Sequence, residues 1–253
     1  AIQCGIRNLY IVERNPSAIE FLKSKLDEWM PRVAHIELFG QDIRKLSLPK
    51  VDIVVSELLG SIGDNELAPE CLYNWKNMID NQFGVVIPQM YSSVFVPIMS
   101  DYLWSKAVNE NKLQQILVIP IDTSIYLSKP KIGLTFNYSL EQNEPSTLYL
   151  RKSIVFKSDI DGICHGMGGW FSVTLYGDVS FSTSPIDDNS GVFSWFPVFI
   201  PFSRLFEVTK DQEIEFIFER KGDSEKVWYE WSIIRPIVLP IQNASGTVCN
   251  IKL

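Results

Sequence analysis

The chain has 253 residues, 46% of them hydrophobic and 21% charged, and carries a net charge of −7. That length buries a real core in one large or two modest domains, and the acidic balance argues against a broad phosphate-binding face, so direct nucleic-acid binding is not expected. Four cysteines (Cys4, Cys71, Cys164, Cys249) form no CxxC pair and only two histidines exist, so no metal centre is expected and free thiols in a reducing compartment are the simplest account. The longest apolar run, Val192 to Phe202, falls well short of the ~20 residues of a membrane span and is broken by Pro197 and Pro201. The opening Ala-Ile-Gln-Cys-Gly has neither initiator Met nor basic leader and reads as the interior of a longer protein.

Asn8 to Val12 predicts a strand ending at Glu13. From Pro16 the apolar positions Ile19, Leu22, Leu26 and Trp29 recur at helical spacing, opened by Pro16 and Ser17 and closed by Pro31. His35 to Phe39 predicts a second strand, ending in Gly40, Gln41 and Asp42. Val51 to Val55, short and β-branched, reads as a buried strand. A helix from about Pro69 to Asp80 and a strand from Phe83 to Ile87 follow. This is the alternating grammar of a doubly wound parallel sheet, here incomplete. In such a sheet an acid after a strand commonly meets ribose hydroxyls, the place Glu13 takes if one strand precedes it, and Asp42 sits where an adenine amino group is met. The Gly-rich turn that normally opens a nucleoside-binding fold is not among these residues, since Gly5 stands alone before Asn8.

Val51 to Glu70 is the stretch around which the rest is organised. Its strand delivers Glu57, a loop punctuated by Gly60 and Gly63 follows, and a second acidic knot of Asp64, Asn65 and Glu66 comes before Pro69. Two carboxylates returned to the carboxyl end of a strand can build a pocket; the same acids would equally serve as a solvated loop and a helix N-terminal charge.

After Pro88 the helical period largely vanishes. Strand-like segments recur at Tyr91–Ile98, Ile116–Ile119, Ile132–Tyr138, Thr147–Phe156, Gly169–Leu175, Val192–Ile200, Gln212–Phe218 and Lys226–Ile233, with a short helix allowed within Asp101–Gln115. The expected architecture is therefore α/β plus all-β. Residues 1–88 form an incomplete Rossmann-like domain, and residues 89–253 an antiparallel β-barrel or sandwich. His165–Trp170 (HGMGGW) reads as a glycine-rich turn, and Ser190–Pro197 as an aromatic strand entry.

The string Ser56 to Leu72 (SELLGSIGDNELAPECL) closely resembles the double-glutamate loop of protein arginine methyltransferases, in the branch that makes symmetric dimethylarginine. IVERNP (Ile11–Pro16), FSWFP (Phe193–Pro197), KVWYEW (Lys226–Trp231), HGMGGWF and the closing IKL agree with that family, in order, over nearly the whole chain. The resemblance implies a methyltransferase domain plus β-barrel that in the family follows a TIM barrel and a Gly-rich first motif. It implies S-adenosylmethionine as cofactor, Glu57 and Glu66 as catalytic and substrate-binding glutamates, Glu13 on the ribose, and Asp42 and Ile43 at the adenine. Ile43 departs from the Met expected there. Trp195 falls on the aromatic that packs on the substrate guanidinium. The Phe linked to symmetric product in this branch lies upstream of these residues. Further implications are Gly/Arg-rich or histone-tail-like protein substrates, homo-oligomerisation through the barrel, a WD-repeat partner for the full-length protein, and a cytoplasmic and nuclear location. A truncated or inactive fragment serving as an interaction or dimerisation module is the alternative. A nicotinamide dehydrogenase explains neither the second carboxylate nor the barrel.

Overall fold

Asn15 turns the end of the first strand into a helix: its side-chain oxygen accepts the Ser17 N–H at 3.0 Å, and Pro16 supplies the first helical position. The computed structural model describes residues 1–80, 83–139, 148–186 and 194–253. It contains two compact units, Ala1–Pro49 and Lys50–Leu253. In the first, β1 (Asn8–Val12), α1 (Pro16–Trp29) and β2 (His35–Phe39) make a βαβ unit. Its strands are parallel, with Asn8 opposite His35 and Val12 opposite Phe39. These boundaries are the ones expected from periodicity and caps.

The second unit begins with β3 (Ile53–Val55), the one-turn helices α2 (Ala68–Cys71) and α3 (Trp75–Met78), and β4 (Val85–Ile87), which pairs with β3 in parallel. Two expectations need correction. The single helix from Pro69 to Asp80 is two turns with a break, because Leu72, Trp75 and Ile79 are all drawn into the core and the backbone bends between them. The strand expected to be buried has Ile53 and Val55 exposed at 53% and 68%, since alternation turns only Val54 toward the core.

The antiparallel region consists of β5 (Met90–Met99), α4 (Asp101–Asn109), β6 (Leu117–Val118), β7 (Ile125–Tyr126), β8 (Lys131–Asn137), β9 (Leu150–Lys157), β10 (Gly162–Tyr176), β11 (Val179–Ser182), β12 (Val198–Val208), β13 (Glu213–Gly222), β14 (Lys226–Arg235) and β15 (Ile251–Lys252). One sheet runs β6-β12-β10-β5-β7, with β11 beside β10 and β8 beside β5; the other runs β15-β14-β13-β9. Phe95 on β5 meets Phe218 and Phe216 on β13, with ring centroids 4.7 and 5.6 Å apart, so the two sheets close over an aromatic core. Each such buried ring contributes roughly 1.5–3 kcal/mol. α4 covers the opposite face of the large sheet, with Leu103 and Ala107 beside Val94, Val96, Ile98 and Trp170.

His165–Trp170, expected as a turn, lies inside β10. Its glycines answer close packing: a Cβ on Gly168 would stand 2.7 Å from Ile121 Cδ1, and one on Gly169 3.0 Å from Phe95 Cδ1. Residues 187–193, which include the first half of the expected aromatic strand entry, lie outside the described residues, and the regular strand there starts at Val198. The fold is a partial Rossmann-like α/β segment followed by an antiparallel β-sandwich. Leu59, Ile62, Leu72, Trp75 and Val86 share one core with Tyr91, Phe136 and Phe218, which is why the second unit starts at Lys50 although regular antiparallel structure starts at Met90.

Candidate functional site

The loop after β3 closes on itself through two glycines. Gly60 N–H donates to the Gly63 carbonyl at 3.1 Å and Gly63 N–H to the Gly60 carbonyl at 2.9 Å, a one-rung antiparallel ladder. Asn65 Oδ1 accepts the Ile62 N–H at 2.9 Å and fills the space a Cβ on Gly60 would need. Gly63 adopts φ +94°, with Tyr91 Cδ2 2.8 Å from where a Cβ would stand. Glu57 lies three residues before this rung and Glu66 three after it, one on each limb of the loop. Gly60 to Asp64 is buried, while both glutamates are exposed at the open end. Burial and the negative charge of Glu57 together push the Glu66 carboxyl above its ordinary value. Glu66 therefore stands within the field of Glu57.

Asp64 and Glu70, on either side of Glu66, point into the sandwich. Arg220 on β13 is fully buried. Its Nη1 and Nη2 donate to Glu70 Oε1 and Oε2, both at 2.8 Å, and Nη1 also donates to the Leu148 carbonyl at 2.7 Å. Its Nε is 2.7 Å from Asp64 Oδ2, which also accepts the Tyr229 hydroxyl at 2.8 Å. The guanidinium carbon lies 5.8 Å from the Phe136 ring centroid. Burial pushes the Asp64 carboxyl up, against the pull of Arg220 and the Tyr229 hydroxyl. Sequence reasoning missed this cluster. The one signal available was phase: Arg220 falls on the alternating positions of Ile214, Phe216 and Phe218, which are otherwise apolar, and arginine is a residue type rarely buried unless paired.

Trp195 reaches the other limb of the loop: its indole N–H donates to the Leu59 carbonyl at 2.6 Å. Its ring packs edge-on against Phe171 at 5.5 Å and beside Phe181 at 6.0 Å, leaving it partly exposed. Phe196, beside it, is 53% exposed. Thus Glu57, Glu66 and Trp195, chosen from sequence, belong to one loop system.

Glu13, Asp42 and Ile43 lie in the first unit, after the carboxyl ends of β1 and β2. Glu13 Oε1 accepts the N–H groups of Arg14 and Asn15, both at 2.7 Å, leaving Oε2 without a hydrogen bond among the described residues. Asp42 accepts the Arg44 N–H and pairs with its guanidinium at 2.6 Å from Nη2. The side-chain hydrogen bond to Arg44 is the main reason its carboxyl is lowered to about 2. Ile43 is half-buried. Among the described residues no helix is long and apolar enough to cross a membrane.

The architecture is that of protein arginine methyltransferases. The solved Trypanosoma brucei PRMT1 enzyme–prozyme heterotetrameric complex with AdoHcy matches 98% of this chain and 82% of that one, with a TM-score of 0.74 at 12% identity. Arabidopsis thaliana protein arginine methyltransferase 10 matches all of this chain and 82% of that one, with a TM-score of 0.74 at 16% identity. The chain belongs to the PRMT5 family: residues 4–87 match the model of the PRMT5 arginine-N-methyltransferase and residues 90–251 that of the PRMT5 oligomerisation domain. Protein arginine N-methyltransferase skb1 of Schizosaccharomyces pombe is 34% identical over 92% of this chain, and Protein arginine N-methyltransferase 5 of Xenopus laevis 32% identical over 97%. The chain spans 39% and 40% of those two curated relatives.

Proposed function

We propose that this chain is the catalytic portion of an S-adenosylmethionine-dependent protein arginine methyltransferase. In this reading residues 1–88 are the cofactor-binding domain and residues 89–253 the barrel domain through which copies associate. The end product is symmetric dimethylarginine on Gly/Arg-rich or histone-tail-like proteins. The observation that carries the reading is that Glu57 and Glu66 flank one closed loop, where partial burial first and the Glu57 charge second hold the Glu66 carboxyl up.

A guanidinium is planar, stays protonated, and is a poor nucleophile because its charge is delocalised. Two carboxylates can hold it as a fork. Binding one edge more tightly than the other concentrates lone-pair character on the opposite nitrogen. Glu57 and Glu66 thereby select and aim that nitrogen, and the proton it loses leaves late, toward a carboxylate already beside it. Trp195, fixed to Leu59, offers its ring face to the cation, worth about 0.5–2 kcal/mol.

The cofactor-side residues fit a nucleoside. Glu13 keeps Oε2 for a ribose hydroxyl while two backbone N–H groups hold Oε1. Asp42 is committed to Arg44, so the adenine contact falls to the backbone there and to the apolar Ile43 side chain. When bound, S-adenosylmethionine supplies the sulfonium methyl group that is transferred. Kinship to the PRMT5 family supports the symmetric product and the oligomer.

The alternative is a non-catalytic interaction module. Calorimetry with S-adenosylhomocysteine and an arginine peptide, on this chain and on an N-terminally extended one, separates the two. Catalysis predicts binding and methylation by at least the extended chain, with methylation lost in Glu57→Gln and in Glu66→Gln. Methylation that survives both substitutions contradicts the mechanism.

A further inference from the structure

We propose that Arg220 is the positioning residue of the acidic loop: it grips the return limb on both sides of Glu66, through Asp64 and Glu70, and so holds that carboxylate opposite Glu57. Glu66 takes no hydrogen bond among the described residues, so its placement is inherited from its backbone. That backbone is held at Asp64 by Arg220 Nε at 2.7 Å and the Tyr229 hydroxyl at 2.8 Å. On the far side it is held at Glu70 by the two ends of the same guanidinium. Between the grips Leu67 adopts φ +67°, a left-handed conformation that a branched side chain keeps only where its surroundings over-determine it. Arg220 supplies that constraint from β13, 150 residues away in sequence.

The chemistry of the grip requires arginine. One planar fork faces Glu70 with both terminal nitrogens, lies in ion-pair contact with Asp64 through its Nε edge and keeps a donor for the Leu148 carbonyl. A lysine ammonium keeps the charge but cannot span these partners at once. A buried ion cluster of this kind costs desolvation that its Coulomb attraction barely repays. Its use here is registry: it fixes which way the limb returns. Asp64 and Glu70 thus serve the loop without touching substrate, while Glu66 alone is turned outward.

The inference rests on the reading of Glu57 and Glu66 as the guanidinium holders, and its test is separable from that reading. Arg220→Lys and Tyr229→Phe both leave net charge unchanged. In the 253-residue chain the titration of the Glu66 side chain is followed by carboxyl NMR, assigned with Glu66→Gln, while the Trp195 indole resonance reports the Leu59 limb. Arg220 as positioning residue predicts a Glu66 titration displaced toward the ordinary carboxylate range in Arg220→Lys, and less so in Tyr229→Phe, with the indole resonance unmoved. Affinity for methylguanidinium falls in step, on the order of tenfold to a hundredfold. Should Arg220→Lys not fold, Tyr229→Phe decides alone. A folded Tyr229→Phe or Arg220→Lys chain with the wild-type Glu66 titration overturns the proposal. Failure of methylguanidinium to bind the N-terminally extended wild-type chain overturns the reading of the site instead, and the Glu66 titration still judges Arg220.

Discussion

Trp195 donates its indole N–H to the Leu59 carbonyl at 2.6 Å, joining the sandwich to the outgoing limb of the acidic loop across 136 residues of sequence. Arg220 joins the sandwich to the returning limb. The loop is thus suspended from both sides, and the two glutamates are exposed at its open end. The first prediction follows from the indole. Trp195→Phe keeps an aromatic face and deletes the donor, leaving a partly buried carbonyl unpaired. Stability in urea falls by about 1 kcal/mol, and affinity for an arginine peptide falls with it; Trp195→Ala loses more on both counts.

Arg220→Met removes one member of a fully buried charge cluster and leaves Asp64 and Glu70 facing each other without a cation. The expected loss is about 3–5 kcal/mol, read from chemical denaturation. Part of it returns in Arg220→Met/Asp64→Asn, because the stranded charge is removed as well, and a double-mutant cycle measures that coupling.

Gly63 stands at φ +94° with Tyr91 closely opposed. Gly63→Ala meets both penalties at once, and the Gly60–Gly63 rung has no other residue to rebuild it. A destabilisation of roughly 1–3 kcal/mol is expected, with methylguanidinium affinity reduced by more than the stability loss alone explains.

Glu66 has a pH signature of definite sign. Its carboxyl is held above its ordinary value in the folded chain by burial and by Glu57, so the folded state binds that proton more tightly than the unfolded one. The group therefore contributes stability while protonated and withdraws it as pH rises through its folded value. Glu66→Gln melts higher than wild type near neutrality, and the advantage shrinks as pH falls toward the ordinary carboxylate range. Melting temperatures measured as a function of pH check this.

Local signals made the first part of the fold legible. The Pro16–Ser17 start of α1, its apolar stripe and the flanking strands are each specified by residues close in sequence, and β1, α1 and β2 fall where those residues put them. Signals failed where distant packing overrode local preference. Gly166, Gly168 and Gly169 look like a turn, yet they lie mid-strand because Ile200, Ile121 and Phe95 leave no room for a side chain. The Pro69–Asp80 helix breaks because Leu72 and Trp75 are buried by strands far along the chain. Of the site, Glu57, Glu66 and Trp195 were readable as residue types at suggestive places. The grip of Arg220 on Asp64 and Glu70 was not, since nothing in a one-dimensional pattern pairs residues 150 apart.

Carboxyl NMR of Glu66 in wild type and Glu57→Gln, with and without methylguanidinium, tests the facing-pair geometry most directly. The predicted result is a Glu66 titration displaced upward in wild type, lowered when Glu57 loses its charge, and lowered further when the cation is added. A Glu66 side chain that titrates alike in both chains and ignores methylguanidinium would contradict it.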